Sequence, residues 1–157
     1  MDAYDNDPSN ADIYGNLYNW FVVDDDRGVC PDGWHVPSDD EFMELEMELG
    51  MSEEDANGLN YRGTDEGSQL AGNSDLWIDG GLENNSEFGT SGFTGFPGGN
   101  RISGAGYSNM GTYGIFWSSS ESSVINSWTR ALYYNSSNVS RSGGWRQSGL
   151  SICCLGD

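Results

Sequence analysis

The sequence predicts an α+β fold with helices and strands segregated along the chain, and two observations carry that expectation. A capping box formed by Ser38 and Glu41 opens a segment with Phe42, Leu45 and Leu49 at helical spacing, and Gly50 closes it. Beyond Gly72 the chain turns glycine-rich, and its apolar residues fall in short runs with no helix-length segment between them. Helices first and many short strands afterwards is the order of an α+β domain, not of alternating βαβ units.

The elements follow in order. Asp2–Asp12 reads as a polar lead-in. Tyr14–Val23 is aromatic and β-branched, as expected of a first strand. Asp24–Arg27 and Cys30–Gly33 are turns. Asp39–Leu49 is the helix with one apolar stripe, and acidic residues in its first turn suit the helix dipole. Ser52–Asn57 and Asp65–Ala71 are shorter helical pieces, and Leu76–Ile78 and Phe93–Phe96 are isolated apolar spots. Tyr113–Ser118 and Ser127–Tyr134 read as strands, with Val139–Arg141 and Leu150–Leu155 as further short ones. In the second of these, Trp128, Arg130, Leu132 and Tyr134 share one face, while Thr129, Ala131 and Tyr133 share the other. Arg130 is expected to face the core and pair with an acid there.

The 157 residues suit a single domain spanning 1–157. Six Trp, eight Tyr and six Phe give enough large apolar surface for a core despite the net charge of −19. The charge is lopsided: 23 of the 25 acidic residues lie between Asp2 and Glu87, and there is no Lys. Such a surface repels phosphate backbones, which argues against a nucleic-acid partner. No apolar run approaches the length of a membrane span, and the N-terminus lacks the regions of a signal peptide.

Most catalytic chemistry has no residues to rest on. His35 is the single histidine, so a Ser-His-Asp or Cys-His arrangement would depend on it alone. Structural zinc needs four Cys or His ligands, and the chain has four in total with two adjacent. Asp5-Asn6-Asp7 opens like an EF-hand loop, but Asn10 and Asn16 stand where the glycine and the bidentate glutamate belong. Gly104-Ala105-Gly106 lacks both the third glycine and a βαβ setting. No cofactor is expected. Calcium at the acidic turns, Asp24–Asp26 or Asp75, Asp79 and Glu83, is the one cation the composition leaves open. Three cysteines are present, Cys30, Cys153 and Cys154. One long-range disulfide from Cys30 to the C-terminal pair is expected with one Cys left over, because adjacent cysteines rarely bond to each other.

Tyr18-Asn19-Trp20, Cys30-Pro31-Asp32-Gly33-Trp34 and His35-Val36-Pro37-Ser38 form one set of motifs. Phe96-Pro97-Gly98-Gly99-Asn100-Arg101, Trp117-Ser118-Ser119-Ser120-Glu121 and the closing Gly149–Cys154 complete it. In order and spacing, over nearly the whole chain, these resemble the Fibrobacter succinogenes major paralogous domain. The resemblance implies a C-type-lectin-like fold, with two helices flanking short antiparallel sheets, long loops and termini close together. It also implies a structural disulfide between Cys30 and Cys154. The sugar- and calcium-binding motifs of true C-type lectins are missing, so calcium-dependent sugar binding does not carry over. The same fold is used by formylglycine-generating enzymes, whose copper-binding cysteine pair is not recognisable here. It is used too by the variable proteins of diversity-generating retroelements, in which substitutions collect toward the C-terminal end.

Between Ser118 and Leu150, 19 of 33 residues are Ser, Asn, Tyr or Gly, which is the chemistry of antibody-like binding surfaces. By similarity to the variable proteins, the expected ligand-binding positions are Val124, Ile125, Asn126, Thr129, Ala131, Tyr133, Ser136, Ser140, Ser142, Gly143, Gly144, Trp145, Arg146 and Leu150. Tyr133, Trp145 and Arg146 are the expected anchors. The function read from this is a non-enzymatic display domain, extracellular, on a cell surface or a virion, contacting a protein or glycan partner and diversified by a retroelement. The alternatives are a structural surface domain with no dedicated ligand, and a relative of the formylglycine-generating oxidases, which needs two converging thiols.

Overall fold

The computed structural model describes residues 2–157 and has a mixed α+β fold. The helical segments are α1 (Pro8–Tyr14), α2 (Trp20–Val23), α3 (Asp39–Glu48), α4 (Glu53–Ala56) and α5 (Glu66–Leu70). The strands are β1 (Trp34–His35), β2 (Asn60–Arg62), β3 (Gly98–Ile102), β4 (Gly106–Met110), β5 (Tyr113–Glu121), β6 (Asn126–Tyr133), β7 (Ser136–Trp145) and β8 (Leu155–Gly156). Six strands form one sheet in the order β2-β7-β6-β5-β3-β4, antiparallel except for the β3–β5 contact, and β1 pairs with β8 in a separate ribbon.

The front of the chain departs from its sequence reading. The lead-in is folded: Tyr4–Asn6 forms a 3-10 turn and Pro8 opens α1, with the Asp7 carboxylate accepting from Ser9 N–H. Tyr107 stacks on Tyr4 at 5.2 Å and donates to Asn6, which fastens this segment to β4. Tyr14–Val23 is not a strand. Leu17 and Tyr18 each make one bridge, to Asp2 and Leu150, and then Trp20 turns into α2. The turn buries the Trp20 indole, whose Nε1–H donates to Ser118 O at 2.9 Å. β-propensity describes a half-buried pleated surface, and here tertiary packing overrides it.

The main core lies between the helices and one face of the sheet. Phe42, Leu70, Trp77, Leu82, Phe116, Leu132 and Val139 meet there, each large side chain worth about 1.5–3 kcal/mol of burial. The capping box of α3 is formed as expected, but the buried stripe of the helix is not purely apolar. Asp39 and Glu46 flank Phe42 inside the protein. Glu46 takes Arg62 Nη1 at 2.8 Å and Arg130 Nε at 2.6 Å. Asp39 takes Arg130 Nη1 at 2.8 Å and the Arg141 guanidinium. Burial alone would raise the Asp39 pKa, but hydrogen bonds from Arg141 and Arg130 outweigh it and hold this carboxyl below its ordinary value. These bonds tie α3 to β2, β6 and β7.

A disulfide joins Cys30 to Cys154 across a sequence separation of 124 residues, with Cα atoms 5.8 Å apart, beside the β1–β8 ribbon. His35 lies in the same ribbon. Its Nδ1 meets Asp157 Oδ1 at 2.7 Å and its Nε2 meets Glu41 Oε1 at 2.9 Å. The Asp157 hydrogen bond first, and the Glu41 bond next, raise the imidazole pKa above 6.5. A raised folded-state pKa places the sign: the clamp contributes fully below about pH 6.5 and is lost as pH rises through the raised value. An NMR titration is expected to give His35 a midpoint above 6.5 that Asp157→Asn moves downward. A midpoint at or below 6.5 in the unmodified protein would remove the clamp.

Candidate functional site

The sheet face turned away from α3 carries the candidate site. Alternation along three strands builds it. β5 contributes Tyr113, Ile115 and Trp117, which lie opposite Tyr133, Ala131 and Thr129 of β6. β7 sets Ser142 opposite Thr129 and Ser140 opposite Ala131. The side chains between these, Phe116, Arg130, Leu132, Val139 and Arg141, point into the core. The face therefore mixes small residues of β6 and β7 with tyrosines and Ile115, while its underside is fixed.

A trough of about 150 Å³ runs over this face, lined by Ile115, Thr129, Ala131, Tyr133, Ser142, Gly144, Ser148 and Leu150. One rim is aromatic. Tyr133 meets Tyr113 at 4.6 Å and Tyr61 at 5.2 Å between ring centroids. Burial first, and the neighbouring tyrosines next, push the Tyr133 pKa up, so its hydroxyl stays a hydrogen-bond donor at neutral pH. At the turn between β6 and β5 and the facing end of β7, Val124, Ile125 and Trp145 are 91%, 62% and 42% exposed, three large apolar side chains in solvent.

The structure sorts the expected contact residues into distinct roles. Thr129, Ala131, Ser140 and Leu150 are buried, so they are floor and support, not exposed contacts. Gly144 has no room for a side chain: a Cβ there would stand 2.6 Å from Thr129 Cγ2 and 2.9 Å from Trp117 Cζ3. Overpacking against a fully buried indole is costly, so Gly144→Ala is expected to destabilise the domain by about 1–3 kcal/mol in urea unfolding. A variant within about 0.5 kcal/mol of the parent would show that the face can open there. Gly143 is exposed, and a Cβ on it would meet Ser122 Oγ at 3.1 Å. Ser136 bonds Asn138 at the far end of β7, away from the trough. Asn126 pairs with Trp145 at the tip.

Arg146 is not a free anchor. Its guanidinium lies 4.3 Å over the Trp20 ring, donates to Ser127 Oγ and Ser123 O, and pairs with Glu121 at 2.9 Å. Its Nε and Nη2 donors are committed to holding the tip of β6 and β7 against α2. Ile115, Ser148, Tyr113 and Tyr61 belong to the site and escaped the sequence reading. The period-two pattern of Tyr113, Ile115 and Trp117 signals the first face of β5, whereas nothing in Asn60-Tyr61-Arg62 marks β2.

The sequence model of the Fibrobacter succinogenes major domain matches residues 1–155. The chain belongs to that family. No curated protein and no solved structure matches it significantly. In this Fibrobacter succinogenes major domain the motifs that carry the resemblance converge on one structural joint. Trp117 is fully buried beside Trp20 and Leu150, and its Nε1–H donates to Tyr18 O at 2.7 Å. The family signatures thus lock the two ends of the chain behind the trough.

Cys153 is the one free thiol, and burial pushes its pKa up, so it rests protonated. Among the described residues no three His, Cys, Asp or Glu side chains come together as a metal-binding set. No helix is long and apolar enough to cross a membrane.

Proposed function

We propose that this domain binds a protein or glycan partner, without catalysis, through the open sheet face and the apolar tip beside it. The scaffold is read as C-type-lectin-like, displayed outside the cell on a cell surface or virion. The observation that carries the reading is the split across β5, β6 and β7: Thr129, Ser142, Ser148 and Tyr133 line a trough on one face together with Ile115, Ala131 and Leu150, while the other face is pinned by core packing and buried ion pairs. Residues on such a face can differ between copies while the packing beneath them stays the same. Tyr133 and Trp145 serve as anchors, since Tyr and Trp bury large area at low entropic cost. The positions from Val124 to Cys153 are diversified by a retroelement, with Gly144 and Arg146 held back by their structural duties.

Two measurements test this. Sequencing of the gene's 3′ end in its source population is expected to find substitutions confined to adenine-bearing codons for the trough and tip, beside a near-identical template repeat. An end no more variable than the rest removes the diversification. A Tyr133→Ala, Trp145→Ala double variant is expected to weaken binding to the partner by roughly 30-fold or more. Unchanged affinity in a folded variant ends the proposal for this face.

A further inference from the structure

The β1–β8 ribbon is held by two residue pairs, Trp34 with Gly156 and His35 with Leu155, and by the Asp157 N–H donating to Gly33 O. The Trp34 indole covers Gly156, where a Cβ would stand 3.9 Å from the ring. Cys154 leads directly into β8, and both cysteines of its bridge to Cys30 are half-buried. Cys30 borders an open hollow of about 270 Å³, shared with Val23, Val29, Trp34, His35 and Ser119. What happens to so short a ribbon decides how much of the adjoining bond solvent reaches.

His35 sits in that ribbon with a carboxylate on each ring nitrogen, Asp157 at 2.7 Å and Glu41 at 2.9 Å. An ionised carboxylate only accepts, and a neutral imidazole has one N–H, so both contacts are hydrogen bonds only while the ring is imidazolium. The charged groups that face the ring are Glu41 from α3 and Asp157 just beyond β8; the hollow brings no other charge to it. The two arms are unequal. Glu41 is also held by the Ser38 N–H and hydroxyl, each at 2.8 Å, inside the capping box of α3. The Asp157 side chain is 62% exposed at the end of the ribbon. Asp157 is therefore the arm that leaves when the ring loses a proton.

We propose that His35 is a proton-operated latch on the Cys30–Cys154 bond. As imidazolium it holds Asp157 and keeps β8 on β1. As neutral imidazole it releases Asp157, β8 frays, and the bond opens to a dithiol reductant. One thiolate of the dithiol attacks a bridge sulfur and breaks the S–S bond, and its second thiol resolves the mixed disulfide. The dithiol leaves oxidised as a cyclic disulfide, and Cys30 and Cys154 remain as thiols, freeing the span of 124 residues between them. Asp157 first, and Glu41 next, raise the imidazole pKa, so release lies on the alkaline side of 6.5. The latch is independent of what the open sheet face binds.

The test follows reduction of the bridge by tris(2-carboxyethyl)phosphine from about pH 5.5 to about pH 9, a span that brackets histidine titration. Every protein carries Cys153→Ser, which prevents thiol exchange beside the bridge. Rates are divided by those of a His35→Gln variant at the same pH, so the reagent's own pH dependence cancels. At the acid end the latched protein is expected to be reduced roughly 3- to 5-fold more slowly, which is what a half-exposed ion pair supplies. The ratio is expected to reach one at the alkaline end, with a midpoint that coincides with the His35 NMR titration. A ratio that does not change with pH overturns the proposal, since simple destabilisation by the substitution would act at every pH. A midpoint apart from the His35 titration overturns it as well. Should His35→Gln fail to fold, Asp157→Asn takes its place as the reference, and a pH-independent ratio against it overturns the proposal.

Discussion

Replacing Glu46 with Gln is expected to cost about 3–5 kcal/mol of folding stability. The substitution hardly changes shape, so the loss reads the charge alone. Glu46 is fully buried and faces two guanidiniums, Arg62 on β2 and Arg130 on β6. Without its charge both remain in the interior, and Arg130 keeps only Asp39. Removing one partner of a buried ion pair strands the other, and that penalty exceeds the net worth of the pair. Since small domains hold about 5–15 kcal/mol in all, such a variant sits near the threshold of folding. Urea unfolding should show the midpoint falling at unchanged slope. A double replacement of Glu46 and Arg62 by Met is expected to cost less than the sum of the two single changes, because the stranded charge leaves with its partner. A Gln variant within about 1 kcal/mol of the parent would mean that water reaches the cluster. The same network sets the acid limit. The Asp39 carboxyl has a lowered folded-state pKa, so its contribution is complete above about pH 3.8 and is lost as pH falls through the lower folded value.

Loss of the Cys30–Cys154 disulfide is expected to cost a comparable amount, about 3–5 kcal/mol. The bond closes a loop of 124 residues, nearly the whole chain, so reduction frees much of the entropy of the unfolded ensemble. The test is a Cys30→Ser, Cys154→Ser variant made in a Cys153→Ser background, since the free Cys153 thiol adjoins the bridge and can exchange with it. Unfolding free energy should drop against the Cys153→Ser parent. The β1–β8 ribbon should lose hydrogen-exchange protection first, because it is only two residues long on each side and adjoins the bridge directly. A drop below about 1 kcal/mol would mean that the two ends stay together in the unfolded chain.

How much of this was visible in the sequence follows from how local each signal is. Helix α3 was readable because a capping box and a glycine stop act within a few residues. The faces of β6 were readable because period two is fixed by the strand itself, and Arg130 does face the core and pair with acids there. The disulfide partner of Cys30 was not decided by spacing; only the family resemblance pointed to Cys154, and the bond is there. Edge strand β2 was missed because it is short and gains its pairing from β7, far along the chain, whereas β4 forms a local hairpin with β3 whose glycine-rich residues carry no strand pattern.

The sequence by itself determined the α+β class, the family, the capped helix and which side chains alternate on β6. The tertiary structure decided everything that depends on what lies opposite. Asp39 and Glu46 look like solvated helix acids until three arginines from the sheet meet them. Thr129 and Ala131 look like exposed contacts until Ile115 and Leu150 rise beside them as walls of a trough. Gly144 looks replaceable until Trp117 fills the space where its side chain would go. In each case the physical reason is the same. A residue's local preference is written in its own chemistry, but its burial and charge state are set by partners up to 122 residues away.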